Sequence, residues 1–364
     1  MTKVNSIPLS LLEEVQIPMA FINTSKIPKK GIVLAADVGG TKIHLALFEI
    51  KDGQLYQLKE KKYHTKDHNS FVEMIYDFYT NKSLVINSLC IGVAGPVAYN
   101  KVHGVNFPWE INGDKIGKEL QIDFVTLIND MEANAYGLAA LKDTDFKTIR
   151  EGSDVPGNAV IISPGTGLGE VGLYWDGSHY HPFASEGGHC DFCPRNALEI
   201  ELWEYMHQIY KHVSWERVLS GPGIYDIYKF LIQKKGQIVP EYIQEEILKG
   251  NPAALITQSA IEGKDVVCKE TFDLFTRFLA IESAQLALKM KTTGGIFIGG
   301  GIVPKIIEGI DLTVFNRGFI QSGRMDELLK MVPVKIILNE KTALLGAALF
   351  GVSMLGKAKN KIEI

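Results

Sequence analysis

Short apolar runs separated by glycine-rich or Asp-Gly breaks set the pattern of the first third of the chain. Ile32-Val33-Leu34-Ala35-Ala36 is one run and residues 43–48 are the next, with Asp37-Val38-Gly39-Gly40-Thr41 between them and Asp52-Gly53 after them. This order reads as strand, tight turn, strand, hairpin turn. Residues 55–63 read as a third strand. Apolar spacing over 70–79 predicts a helix, with Ser70 as N-cap and Glu73 three residues later. Residues 88–94 form a buried strand closed by Gly95-Pro96. Another strand, 122–128, runs into Asn129-Asp130, after which Ala133, Ala135, Tyr136, Leu138 and Ala139 signal a helix. Strands alternating with helices predict an α/β sheet with helix-covered faces.

The pattern then recurs. Residues 160–163 are again an apolar strand, followed by Pro164-Gly165-Thr166-Gly167-Leu168-Gly169, a strand over 171–175, and Asp176-Gly177. Such an internal repeat predicts two related half-structures. The copies differ in chemistry, because Ser163 stands where Asp37 stands in the first. Beyond the repeat the chain turns helical, with helices expected over 196–213, 222–233, 252–262 and 265–289. A strand at 295–298 then ends in Gly299-Gly300-Gly301. A last helix over 342–355 carries Leu344, Leu345, Ala348 and Leu349 on one face. Ahead of all this, Ile7, Leu11, Leu12 and Val15 predict a short amphipathic helix, interrupted by Pro18 and Pro28. Its expected role is packing against the body or an oligomer contact. The expected division is an extension (1–30), a smaller α/β domain (31–140 plus 339–364) and a larger one (141–338).

Composition narrows the function classes. At 364 residues the chain is long enough for two domains. A net charge of −4 without a long basic run argues against nucleic acid as a partner. No stretch reaches the ~18 apolar residues of a membrane span, and no secretory signal opens the chain. Four cysteines in this length make no disulfide framework, so a reducing, cytoplasmic setting is expected.

Several residues are suited to chemistry. Gly39 and Gly40 let backbone approach a ligand, so turn amides and the Thr41 hydroxyl can face phosphate oxygens. Asp37 can hold a hydrated Mg²⁺. A tight turn without a ligand is the alternative, but the second turn at Gly165, Thr166 and Gly167 favours a nucleotide. Asp130 stands where open α/β sheets bind ligands and is the candidate catalytic group; it reads equally as a helix N-cap. Asn129 adds a second polar group there. Glu186-Gly187-Gly188-His189 places a carboxylate and an imidazole on a tight loop, a match for a diol, or simply a solvated surface loop. Cys190 and Cys193 have the spacing of a zinc ligand pair, but no second pair follows, and buried free thiols are the expectation.

Taken in order, Asp37-Val38-Gly39-Gly40-Thr41, Ile128-Asn129-Asp130, Gly165-Thr166-Gly167-Leu168-Gly169, residues 186–192, the long block 212–223 and Gly299-Gly300-Gly301-Ile302-Val303-Pro304 closely resemble the bacterial-type glucokinases of the hexokinase/actin-like ATPase superfamily. The resemblance spans about 32–355. It implies a two-lobed actin-like (ribonuclease H-like) fold with a duplicated mixed sheet and an interdomain cleft. It further implies an ATP-dependent kinase acting on O6 of glucose, the first step of glucose use in glycolysis, with Mg²⁺. The two Gly/Thr turns are similar to the family's phosphate loops, and Gly299, Gly300 and Gly301 to its adenosine-side turn. Asp130 matches the catalytic base. Asn129, Glu186, His189 and Glu216 match sugar-binding residues, as does Asn106 more loosely, and a homodimer is implied. A kinase for another hexose or phosphoryl donor, or a sugar-binding regulator without turnover, stays open as an alternative. The chain departs from the family at Lys42, where Asn is usual, and at Glu170, where a small apolar residue is usual. A carboxylate near a triphosphate repels it, so Glu170 must point away, meet a cation, or weaken ATP binding. The zinc cysteine cluster of the related repressor/kinase group is absent.

Overall fold

Hairpin chemistry builds the first sheet. In the computed structural model, which describes residues 6–9, 17–21, 27–79, 84–103, 109–153, 155–250 and 252–356, strand β1 is Ser6–Pro8, β2 Lys30–Val38, β3 Lys42–Lys51 and β4 Gln54–His64. Asp52 and Gly53 both take positive φ (51° and 71°) in the β3–β4 turn, the left-handed pair that a two-residue hairpin loop demands. β5 (Ser88–Val93), β6 (Lys101–His103), β7 (Glu110–Asn112) and β8 (Phe124–Asn129) follow, with helices α1 (Phe71–Phe78), α2 (Gly113–Leu120) and α3 (Asp130–Gly137). The sheet order is β1-β4-β3-β2-β5-β8. β4, β3 and β2 are antiparallel neighbours, whereas β5 and β8 run parallel to β2. Ser70 caps α1 by accepting from the Glu73 N–H; the Glu73 carboxylate reaches back to the Asn69 N–H.

The chain clusters into two units, 1–144 with 176–184 and 341–364, and 145–175 with 185–340. In the first unit, the apolar rows of β2, β3 and β5 form one core with Phe71, Met74, Ile75 and Phe78 of α1. The C-terminal helix, Thr342–Leu355, packs on α3, β2 and β5. It is buried almost all round rather than along one face. Close approach explains this: a Cβ at Gly346 would stand 1.8 Å from the Ala133 carbonyl oxygen. At Ile7 the structure differs from the expected helix. Ile7 lies in β1, paired with Leu55 at the edge of β4, because an open sheet edge offers backbone partners that a short isolated helix cannot match. Leu11, Leu12 and Val15 lie outside the described residues. Met19 bridges Tyr180, and Phe21 packs on Tyr136 with ring centroids 5.2 Å apart.

The second unit repeats the plan. β9 (Phe146–Arg150), β10 (Ala159–Pro164) and β11 (Leu168–Trp175) precede β12 (Tyr180–Ser185), which lies where the chain passes from the first unit back to the second. β13 (Gly295–Ile298) and β14 (Val334–Ile337) complete the strands. β10 and β11 form an antiparallel hairpin, and β13 and β14 extend it in parallel. Each half is thus a hairpin widened by two parallel strands, and Asp37 and Ser163 hold matching places, one residue before the ends of β2 and β10. The helices are α4 (Ala197–Tyr210), α5 (Gly221–Lys235), α6 (Glu241–Lys249), α7 (Pro252–Ile261), α8 (Val266–Met290), α9 (Val303–Ile306), α10 (Leu312–Phe319) and α11 (Asp326–Lys330). α8 is buried along most of its length, with Phe272, Phe275 and Phe278 at the centre of the core. Among the described residues no helix is long and apolar enough to cross a membrane.

Candidate active site

In the first unit the Gly39-Gly40-Thr41 turn closes β2 onto β3. The Gly39 N–H donates to the Lys42 carbonyl (3.0 Å), and the Thr65 N–H to that of Thr41 (3.1 Å). Thr41 and Lys42 are exposed at its tip. Asp37 stands just before it, keeping some contact with solvent. Burial, and then the negative charge of Asp130, push its carboxyl up to about 7, against the pull of Lys62. The register explains both neighbours. Lys62 pairs with His44, which pairs with Asp37, while Asp37 pairs on its other side with Gly92, next to Ile128 in β8. Gly92 keeps that passage narrow, since a Cβ there would lie 2.8 Å from the Ala133 Cβ and 4.0 Å from the Asp130 Cα.

Asn129, not Asp130, is the N-cap of α3. Its side chain accepts from the Met131 N–H (2.9 Å), and the Glu132 carboxylate accepts from the Asn129 N–H in return. The Asn129 amide also donates to the Gly95 carbonyl (3.3 Å), so much of its hydrogen-bonding capacity goes to holding the strand–helix junction. Asp130 occupies the first helical position, where one carboxylate oxygen accepts from the Met131 N–H (2.9 Å). Asn106 lies outside the described residues.

In the second unit three turns converge. The Gly165 N–H donates to Gly167 (2.8 Å), the Gly221 N–H to Gly165 (2.9 Å) and the Gly299 N–H to Ile162 (2.9 Å). Gly300 takes φ +84°, and a Cβ there would strike the Pro164 carbonyl oxygen at 2.3 Å. The N-terminus of α5, capped by Ser220, opens beside the Gly165 turn; its first N–H groups are spent on Gly165 and Ser220 and Pro222 has none, so what it offers an anion is the field of the helix dipole. Next to these turns lies a cavity of about 860 Å³ lined by Gly165, Thr166, Gly221, Tyr225, Thr257 and Gly301 among others, a size suited to a nucleotide. Tyr225 and Thr257 come from stretches that read only as helices, so nothing in the sequence marked them.

Glu186, His189 and Glu216 are brought together by backbone pairing. Gly187–His189 forms a single 3₁₀ turn. The chain beyond it is zipped to residues 213–215, with the Phe192 N–H donating to Val213 and the Trp215 N–H to Cys190, both 2.9 Å. Phe192 anchors the zipper against Trp215 and Phe278. Glu186 and His189 are exposed. Glu216 spends one carboxylate oxygen on the Leu168 N–H (3.1 Å), directly beneath Gly167. It therefore supports the second turn as well as facing the loop.

Glu170 points away from the turns. It is 1% exposed, inside the second unit, where burial pushes its carboxyl up to about 7. Alternation along β11 sends it there. The thiols differ from the expectation: Cys90 and Cys268 are buried but Cys190 and Cys193 are exposed, because they sit on the zipped surface loop. No cluster of three or more metal-ligating side chains occurs among the described residues.

Duplicated hairpin sheets with glycine turns at matching positions, a nucleotide-sized cavity and a close pair of aspartates define a nucleotide-dependent phosphotransferase. A family model described as Glucokinase matches residues 34–354. A glucokinase of Nostoc sp. (strain PCC 7120) is 38% identical over 336 residues, covering 87% of this chain and 98% of its own. The solved glucokinase of an Antarctic psychrotroph is 28% identical with a TM-score of 0.75, covering 88% of this chain and 98% of that one. A ROK family glucokinase from Streptomyces griseus, solved with glucose and AMPPNP, shares the fold at 22% identity and a TM-score of 0.60, over 87% of this chain and 98% of its own. The chain belongs to the glucokinase family, and its activity is the ATP-dependent phosphorylation of glucose.

Proposed function

We propose that Asp130 is the general base of this reaction, accepting the O6 proton of glucose as the hydroxyl attacks the γ-phosphorus of ATP. The O6–P bond forms as the bond to the ADP leaving oxygen breaks. The observation that carries this reading is the pairing of Asp130 with Asp37 across Gly92, with the helix cap taken by Asn129. Phosphoryl transfer is governed by positioning and charge stabilisation. The amides of the Gly39–Thr41 and Gly165–Gly167 turns orient phosphate oxygens, and the α5 N-terminus adds favourable potential. The cavity beside Gly301 takes the adenosine. Glu186, His189 and Glu216 read the sugar hydroxyls, with Asn129 contributing its amide. Asp37 fits Mg²⁺, being an oxygen donor with a raised pKa that a cation would lower again. Held by Asp37, the ion would supply charge neutralisation at the phosphates. A homodimer in a cytoplasmic setting completes this reading, and light scattering tests its oligomeric part.

The test is Asp130→Asn. It keeps shape and glucose affinity but removes proton acceptance, and kcat is expected to fall by about 10²–10⁴. Turnover within about threefold of the parent, in protein shown free of parent enzyme, removes Asp130 from the role. In the same assay the parent is expected to prefer glucose to mannose by roughly tenfold or more in kcat/KM, since an inverted hydroxyl leaves a polar group unpaired.

A further inference from the structure

We propose that Glu170 is a positioning residue for glucose: its interior carboxyl, enclosed together with that of Glu282, forms the seat of the Gly187-Gly188 loop, and the charge on this acid pair sets how well the loop fits the sugar. The inference rests on the reading of residues 186–189 as the sugar-facing loop.

The geometry is specific. A Cβ at Gly187 would stand 2.0 Å from the Glu170 Oε2 and 3.1 Å from its Cδ, and a Cβ at Gly188 would stand 2.2 Å from the Leu168 carbonyl oxygen. Both glycines therefore rest directly on β11, the first over a carboxyl group. That strand is itself held by Glu216 through the Leu168 N–H. Any movement of Glu170 reaches Gly187 first, and Glu186 and His189 flank that glycine and its neighbour.

The pocket beneath is unusual in what it encloses. Glu170 is 1% and Glu282 0% exposed. Among the described residues neither carboxyl makes a well-formed hydrogen bond. The charged groups that face the pair are Lys289 of α8, whose Nζ is 3.6 Å from Glu282 Oε1, and Arg195, which acts on Glu282. The loop contributes the Ser185 hydroxyl, which accepts from the Gly187 N–H (2.9 Å). Burial, then the charge of Glu170, raise Glu282 to about 8, and Lys289 and Arg195 only partly offset this. Two enclosed acids of this kind titrate as a pair. Neutral, the pair needs no counter-charge, and Glu170 packs quietly under Gly187. Once ionised in a low-dielectric interior they repel one another, and the Glu170 side lies under the loop. The loop is displaced while Asp130 and the nucleotide cavity are untouched, so the effect belongs in KM for glucose and not in kcat.

The experiment measures kcat and KM for glucose from pH 6 to 9 at saturating ATP, in the parent, Glu170→Gln and Glu282→Gln. In the parent, KM is expected to rise roughly tenfold across the range, about one pKa unit's worth of coupling. In both variants the low-pH KM persists and the rise flattens to about twofold or less, with kcat unchanged within about twofold. Glu282→Gln leaves Glu170, the carboxyl against Gly187, in place, so its flattening keeps the test decisive even if Glu170→Gln folds poorly. Direct glucose titration followed by tryptophan fluorescence, Trp215 being tied to Cys190, reads the same loop without turnover. Equal pH profiles of KM in all three proteins overturn the inference. His189→Ala separates the two layers. If it leaves glucose KM unchanged at pH 6.5, the sugar-loop reading itself fails. If it raises KM while the glutamine variants keep the parent's profile, only the role of Glu170 fails.

Discussion

Gly300 shows how much one residue holds at the proposed nucleotide side. Its φ of +84° is open to glycine at little cost, and a methyl group would also collide with the Pro164 carbonyl at 2.3 Å. Gly300→Ala must shift the Gly299–Gly301 turn against the Gly165 turn. KM for ATP is expected to rise roughly tenfold or more, with glucose KM changed by less than about threefold, because a misplaced turn costs on the order of 1–3 kcal/mol of nucleotide binding. Steady-state kinetics with each substrate varied in turn decides this. Equal effects on both substrates would move Gly300 out of the nucleotide site. Residue types at Asp37, Asp130, Glu186 and His189 were visible in the sequence as candidates. The identity of the α3 cap was not, because Asn129 and Asp130 are equally good capping residues and only the backbone dihedrals separate them.

Among elements, the pair formed by α3 and the C-terminal helix bears most directly on Asp130, the proposed base. Gly137 and Gly346 let the two backbones touch: a Cβ at Gly137 would lie 2.0 Å from the Thr342 carbonyl oxygen, and one at Gly346 1.8 Å from that of Ala133. Gly346→Ala therefore pushes α3, whose first residue is Asp130, off its seat. Overpacking of this kind costs about 1–3 kcal/mol, or a fall in Tm of roughly 2–10 °C for a unit of this size. Thermal unfolding with and without glucose measures it; an unchanged Tm would mean the two helices separate freely. Both helices were legible from periodicity. Their contact was not, since nothing in the sequence marked Gly137 or Gly346 as a point of close approach and the C-terminal helix read as one-faced. β1 is the converse case, where apolar spacing put Ile7 in a helix and an open edge of β4 holds Ser6–Pro8 as a strand instead.

For the whole molecule, stability should fall as pH rises from about 5 to about 8.5. Glu170 and Glu282 are raised from 4.5 to about 7 and about 8, and Asp37 from 3.8 to about 7. Between the unfolded and folded values the folded chain binds more protons than the unfolded one, so unfolding becomes easier with each added pH unit and levels off above the folded values. His44, lowered by burial, works the other way near its ordinary range. The lowered carboxyls Glu60 and Asp311 matter only at acid pH, where stability is lost as they protonate. For Glu170 alone the swing is on the order of 2–3 kcal/mol. Differential scanning calorimetry at pH 5, 7 and 8.5 should show Tm falling, with a shallower slope in Glu170→Gln; a Tm that climbs over that range contradicts the assignment. By itself the sequence determined what depends on neighbours in the chain. The hairpins, the Ser70 cap, the strand–turn repeat and the motif residues are of this kind, because turn dihedrals and periodicity are local. Tertiary structure alone decided what depends on elements distant in sequence: the cavity walled by α5, α7 and the glycine turns, the neighbourhood of Asp37 and Asp130, and the burial of Glu170. A carboxylate on a strand of alternating pattern gives no sign of which face is the interior until the second layer has packed against it.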